Sequence, residues 1–314
     1  MSKIYVIGGA NVDISARSFN QIVEYDSNPG KVSYSFGGVA HNIARNLSNI
    51  GCEVNYITAF SNDNFGRQLV ESMNSSNISI DHSQFFDGQT TSLYLAVVEP
   101  DGDMKVAIAD MEILSHLDIN RLEPVLRSLH KDDIMVLDTN LTVEQIGKLI
   151  DMADCQIFVD PISTAKAVKI SGYYDRIDML KPNRLEAEIL SGLKVESEED
   201  YLPVLNWFIK KGCKSIVISM GKDGLIGSNG REAYHLSNTK VEIVNTTGAG
   251  DAFMAGFVYR QHNGLSFLNS LKYALANSAI ALISLDTVNS ENSPELLNEY
   301  YEKVENESQV TVLK

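Results

Sequence analysis

After residue 110, short and wholly apolar runs alternate with helical stretches, and that alternation leaves few folds open to the chain. Ile134 to Leu137, Ile157 to Val159, Ile177 to Leu180 and Ser215 to Ile218 read as strands, with helices over Val143 to Met152, Arg184 to Leu190 and Tyr201 to Lys211 between them. A strand that is apolar at successive positions is buried on both faces, as in a parallel sheet covered by helices above and below. The fold class is therefore α/β, a three-layer sandwich around a mainly parallel, doubly wound sheet. The runs lead into Asp138, Asp160, Lys181 and Ser219. Open sheets of this kind bind ligands outside the carboxyl ends of their strands, so these polar tips are expected to line one crevice.

The earlier part of the chain reads differently. Ile4 to Ile7 is a first strand, with Gly8 to Asp13 at its carboxyl end. His41 to Ile50 is an amphipathic helix stopped by Gly51, Val54 to Ala59 a strand, and Phe65 to Met73 a helix. Two polar, alternating excursions interrupt this pattern. One turns at Asp26 to Gly30, between Ile22-Val23 and Val32 to Tyr34; the other turns at Pro100 to Asp103, between Thr91 to Glu99 and Met104 to Ala109. Together they predict a small β-sheet lid. The domain division is then 1–13, 37–88 and 111–314 for the main α/β body, with 14–36 and 89–110 for a discontinuous lid.

Charge narrows the partners. A formal net charge of -15 without a Lys/Arg cluster argues against a nucleic-acid polymer. An anionic ligand would have to be met locally, by backbone dipoles and a metal. Cys52, Cys155 and Cys213 lie far apart with no CxxC spacing, and no two histidines stand at helical metal-binding spacing. The Ile4 to Ile7 run is too short for a signal peptide, and no apolar run approaches a membrane span. A cytoplasmic location is the expectation.

Three constellations can carry chemistry. In Asn245 to Phe257, a turn of small residues leads into a helix whose first acidic residue is Asp251. Backbone N–H groups converging on a helix N-terminus make an anion site, and a carboxylate beside a bound phosphate can take a proton from an attacking hydroxyl. The bland alternative is an Asp that merely stabilises the helix dipole. Asn183 and Glu186, three apart at a strand's carboxyl end, suit a hydrated Mg²⁺, and the same spacing is that of a capping box. Gly8 to Asp13, with Gly37-Gly38 and Asn42, allows close backbone approach or a hinge, and Asp13 is placed to hold a vicinal diol or to be a solvated turn residue. Ser219 to Gly224 is a strand-to-turn segment of a kind that can lie along a nucleotide, although no Walker A or GxGxxG spacing occurs.

These residues resemble the signatures of the ribokinase-like (PfkB) carbohydrate and nucleoside kinases. Asn245 to Phe257 is similar to their C-terminal signature, Gly37-Gly38 with Asn42 to the N-terminal one, and Asn183 to Glu186 to the NxxE metal motif. The resemblance implies transfer of the ATP γ-phosphoryl group to a primary hydroxyl. It makes Asp251 the general base and the N–H groups of Gly248, Ala249 and Gly250 the anion hole. Asn183 and Glu186 would organise Mg²⁺ through waters. Asn11, Asp13, Gly38, Asn42 and Lys166 would hold the nucleoside, and Asn183, Ser219, Gly221, Gly224 and Asn277 the nucleotide. Asn245 stands where the family signature usually has Asp, at a position associated with K⁺; an amide oxygen can ligate the ion without adding charge.

The segments Asp26 to Lys31, Asp103-Met104, Asp110-Met111, Asp160 to Ser163 with Lys166, and Lys181 to Glu188 resemble the branch of the family that acts on pseudouridine. Ribose, uridine or a purine nucleoside are the alternative acceptors. A pseudouridine pocket should offer acceptors to two ring N–H groups and an apolar wall, for which Tyr94 or Phe36 is available. A non-catalytic nucleoside sensor would be expected to lose the base or the anion-hole glycines, and Asp251, Gly248 and Gly250 are all present. Relatives often dimerise through the lid, so a homodimer is expected.

Overall fold

The computed structural model describes residues 2–74, 76–264 and 266–313; Met1 and Lys314, the outer limits of the expected main domain, lie outside them. Its frame is a ten-stranded sheet whose parallel part runs, in spatial order, through Ile216–Ser219, Met179–Leu180, Gln156–Asp160, Ile134–Asp138, Ile4–Ile7, Val54–Ile57 and Ile78–Ser79. Leu225–Ser228, Ala233–Leu236 and Val310–Val312 extend one edge antiparallel. Strand pleating explains why the central runs are apolar throughout. Ile4, Val6, Ile134 and Val136 enter one core, whereas Tyr5, Ile7, Met135 and Leu137 enter the other.

Helices Val39–Asn49, Ala249–His262, Phe267–Leu282 and Pro294–Glu307 cover the first core. Val143–Met152, Arg184–Ser191 and Tyr201–Lys210 cover the second. The fold is thus the α/β three-layer arrangement. No helix among the described residues is long and apolar enough to cross a membrane. All three cysteines are free, and Cys52 and Cys213 are buried.

A separate four-stranded sheet has the order Gly30–Gly37, Asn11–Ser18, Leu93–Val98, Met104–Asp110. It corrects the reading of the first excursion. The partner of Gly30–Gly37 is Asn11–Ser18, not Ile22-Val23, because Asn11 pairs with Gly37 and Ser18 with Gly30. Asn11 and Asp13 consequently sit on a strand of the small sheet and not in a loop after the first strand.

Two other strands are shorter than the apolar runs predict. Ile177 closes a tight turn through its N–H to the Tyr174 carbonyl, which leaves only Met179–Leu180 in the sheet. The Val54 to Ala59 run breaks at Thr58, and Ala59–Ser61 pairs instead with Gln84–Phe86.

Candidate active site

The turn of the C-terminal signature is held open by its own backbone. Gly248 lies in the left-handed region at φ 83°, and a Cβ there would come within 2.1 Å of the Thr287 carbonyl oxygen. Only glycine satisfies both conditions. The Asn245 side chain ties the turn down: its Oδ1 accepts from the Thr247 N–H at 3.0 Å, and its Nδ2 donates to the Leu285 carbonyl at 3.1 Å. Helix Ala249–His262 starts immediately after Gly248 with no side-chain cap, so its first-turn N–H groups stay available to an external anion.

Asp251, in that first turn, is 8% exposed and does not serve as a solvated dipole residue. Its Oδ2 accepts a 2.8 Å hydrogen bond from Asn42 Nδ2. Burial pushes its carboxyl up to about 8, with Asp160 and Asp138 adding to the rise while Asn42 and Lys181 oppose it. Asn42 reaches this point because helix Val39–Asn49 begins at Gly38, whose φ of 102° and close approach to the Gly9 carbonyl exclude a side chain. The two signatures, some 200 residues apart, therefore meet in one hydrogen bond (|i−j| = 209).

The strand tips complete one wall. Asp138 accepts from the N–H groups of Gly9 (2.9 Å), Ala40 (3.0 Å) and Asn140 (2.9 Å), which locks the first-strand turn against the helix start. Lys166 donates to Asn140 Oδ1 at 2.5 Å and joins this group, and its own burial holds the ammonium below the ordinary value. Asn11 Nδ2 donates to Asp13 Oδ1 at 2.6 Å, and burial raises the Asp13 carboxyl. Asp160 pairs with Lys181 at 2.9 Å, both side chains only 7% exposed.

On the other flank, Asn183 and Glu186 form the capping box in full. Glu186 accepts from Asn183 N and Nδ2 at 2.8 Å each, and Asn183 Oδ1 accepts from Glu186 N at 2.9 Å. Burial raises the Glu186 carboxyl. Among the described residues no group of three His, Cys, Asp or Glu side chains is arranged to hold a metal. Asn183 Oδ1 and both Glu186 carboxylate oxygens are engaged within the capping box, so an ion held there would be met through water, as Mg²⁺ commonly is.

A cavity of about 360 Å³ opens from Ala249 and Gly250 toward Ser219, Gly221 and Gly224, with Phe253 and Leu275 as apolar lining. Asn277 does not line it. The Asn277 amide is fully buried, donating to the Ala252 carbonyl at 2.7 Å and accepting from Asn292 Nδ2 at 2.8 Å, and its neighbour Ser278 faces the cavity instead. A larger cavity of about 550 Å³, between Arg184, Glu198, Tyr201 and His235, touches neither the turn nor Asp251. The smaller one is the better candidate, because Thr246, Ala249 and Gly250 of the turn line it, although Asp251 itself does not.

The sequence reading expects Asp138, Asp160 and Lys181 as polar strand tips of one crevice without giving them individual roles, and it does not name Asn140. Their contacts join motifs that do not touch in sequence.

A doubly wound sheet with a glycine turn at a helix start, a buried carboxylate and a cavity at its strand tips is the frame in which the comparisons place a sugar or nucleoside kinase. The chain belongs to the pfkB family of carbohydrate kinases, whose model matches residues 1–294. It is 36% identical over 281 residues to pseudouridine kinase of Escherichia coli (strain K12), covering 89% of this chain and 90% of that one. Guanosine-inosine kinase of Exiguobacterium acetylicum is 28% identical over 298 residues, covering 91% and 96%. A solved structure of a putative sugar kinase from Clostridium perfringens superimposes with a TM-score of 0.86 at 28% identity, covering 100% and 98%.

Proposed function

We propose that the chain is an ATP-dependent kinase that phosphorylates the 5'-hydroxyl of pseudouridine. The observation that carries the chemistry is Asp251: a buried carboxylate with a raised proton affinity, one residue beyond the turn whose N–H groups are free to take an anion. The choice of acceptor is supported by the similarity to the Escherichia coli pseudouridine kinase.

In this reading the acceptor ribose is held by Asn11, Asp13, Gly38 and Asn42, with Lys166 beside them, and ATP lies along Ser219, Gly221 and Gly224. Asp251 takes the proton of the 5'-hydroxyl. The acceptor oxygen bonds to the γ-phosphorus, the bond to the β–γ bridging oxygen breaks, and ADP leaves with that electron pair. The N–H groups of Gly248, Ala249 and Gly250 hold the transferring oxygens. Asn183 and Glu186 would hold Mg²⁺ through waters, and the ion would supply charge neutralisation; Asn245 would do the same for K⁺ in this proposal. The small sheet acts as the lid, excluding water when it closes.

The relative acting on guanosine and inosine keeps a purine nucleoside as the second reading. An acceptor panel separates them: with ATP and Mg²⁺, kcat/KM is expected to be highest for pseudouridine, above uridine, inosine, guanosine and ribose. A preference for free ribose or a purine nucleoside would overturn the substrate assignment and leave the kinase chemistry standing.

Homodimerisation through the small sheet belongs to this proposal, as does a cytoplasmic location. One face of the sheet carries the cross-strand row Val32, Ala16, Val97, Val106, and Val32 and Val106 are 67% and 50% exposed. An uncovered apolar row beside open strand edges favours pairing with another chain. Light scattering of the purified protein is expected to give twice the chain mass, and Val106→Lys is expected to shift it toward one chain. A monomer at working concentration would contradict this part.

A further inference from the structure

The chain's charge makes its anion site hard to operate. Asp251 stands in the first turn of the helix, Asp160 and Asp138 act on its charge, Glu186 acts on Lys181, and a helix N-terminus supplies only about half a positive charge against a polyphosphate. Among the described residues one lysine or arginine is buried. Lys181, at the tip of Met179–Leu180, is 6% exposed, lines the 360 Å³ cavity with Ala249 and Gly250, and places its Nζ 3.3 Å from where a Gly250 Cβ would stand.

An ammonium has three N–H donors, and Asp160 is its only ion-pair partner among the described residues. A buried ion pair by itself adds little to stability, so the pair needs another reason to be there. Lys222, the other cation lining the cavity, is exposed.

We infer that Lys181 is a catalytic residue, anchored by Asp160 and donating its remaining N–H groups to the γ-phosphoryl group seated on the Gly248–Gly250 turn. It keeps all its protons throughout: the acceptor proton goes to Asp251, and Lys181 balances the oxygen charge while one P–O bond forms and the other breaks. The inference rests on the kinase reading above.

Its test compares Asp160→Asn, Lys181→Met and the double variant, which removes both charges of the pair and so avoids a stranded buried carboxylate. Melting curves establish which are folded. The readouts are turnover with the best wild-type acceptor, and calorimetric affinity for ADP and for the non-hydrolysable triphosphate AMPPNP.

The expected result is that the double variant, relative to Asp160→Asn, loses about 10²- to 10³-fold in kcat and about tenfold in AMPPNP affinity, with ADP affinity unchanged. A double variant that turns over as fast as Asp160→Asn, or that loses ADP and AMPPNP affinity equally, overturns the role of Lys181. Wild-type protein that phosphorylates no acceptor overturns the kinase reading itself, which separates the two failures.

Discussion

Asp251→Asn is expected to lower kcat by about 10²- to 10⁴-fold while the nucleoside still binds. The amide keeps the shape of the carboxylate and can still lie against Asn42, but it cannot accept the acceptor's proton. No neighbour takes over, because Asp138 is committed to backbone N–H groups and Asp160 to Lys181.

The same substitution should raise stability. A carboxyl whose folded-state value is lifted to about 8 favours its protonated form in the native protein, so its effect on stability is fully favourable below the ordinary carboxylate range and is lost as pH rises toward 8. At pH 8 the Asn variant is therefore expected to melt on the order of 2 °C higher or more. The wild-type enzyme needs Asp251 ionised, so its kcat/KM should fall as pH drops through about 8 in the free protein. Steady-state kinetics, nucleoside titration and melting curves at pH 6 and 8 check all three. Turnover near the wild-type value would remove Asp251 from the role of base.

Gly248→Ala carries the second large effect. A side chain at φ 83° costs about 1–2 kcal/mol from backbone sterics alone. Here the added methyl also meets the Thr287 carbonyl at 2.1 Å, a backbone group that cannot rotate away. The turn must shift, and the N–H groups of Ala249 and Gly250 shift with it. Loss of one preorganised oxyanion donor costs about 10²- to 10³-fold in kcat, and displacement of the turn should cost at least that. Because the strain is local, the variant is expected to stay folded with a lower Tm. Full activity in Gly248→Ala would mean that this turn does not hold the transferring group.

The sequence makes the layered fold legible because pleating writes itself into buried parallel strands: alternate residues enter two different cores, so Ile4 to Ile7 and Ile134 to Leu137 must be apolar throughout. The signature turn is legible for a similar reason, since Gly248 and Gly38 answer to backbone geometry that no other residue meets as well. What stayed hidden was long-range pairing. Nothing near Asn11 says that it faces Gly37 in a strand of the small sheet, and nothing near Asp160 says that Lys181 will neutralise it.

Asn277 illustrates the opposite error. The resemblance implies a nucleotide role for it, yet its amide is fully used in tying Ala252 to Asn292, and only burial reveals it. Of the two readings of Asn183 and Glu186, the structure shows the capping box. What remains for a metal is a hydrated outer shell.

The most direct test of phosphoryl transfer at this site is to incubate the purified protein with ATP, Mg²⁺ and pseudouridine and to follow both products by mass spectrometry. The account predicts equal amounts of ADP and pseudouridine 5'-phosphate from the wild type, with Asp251→Asn reduced to a trace of each. ATP consumed without a phosphorylated nucleoside, or the same yield from both proteins, would contradict it.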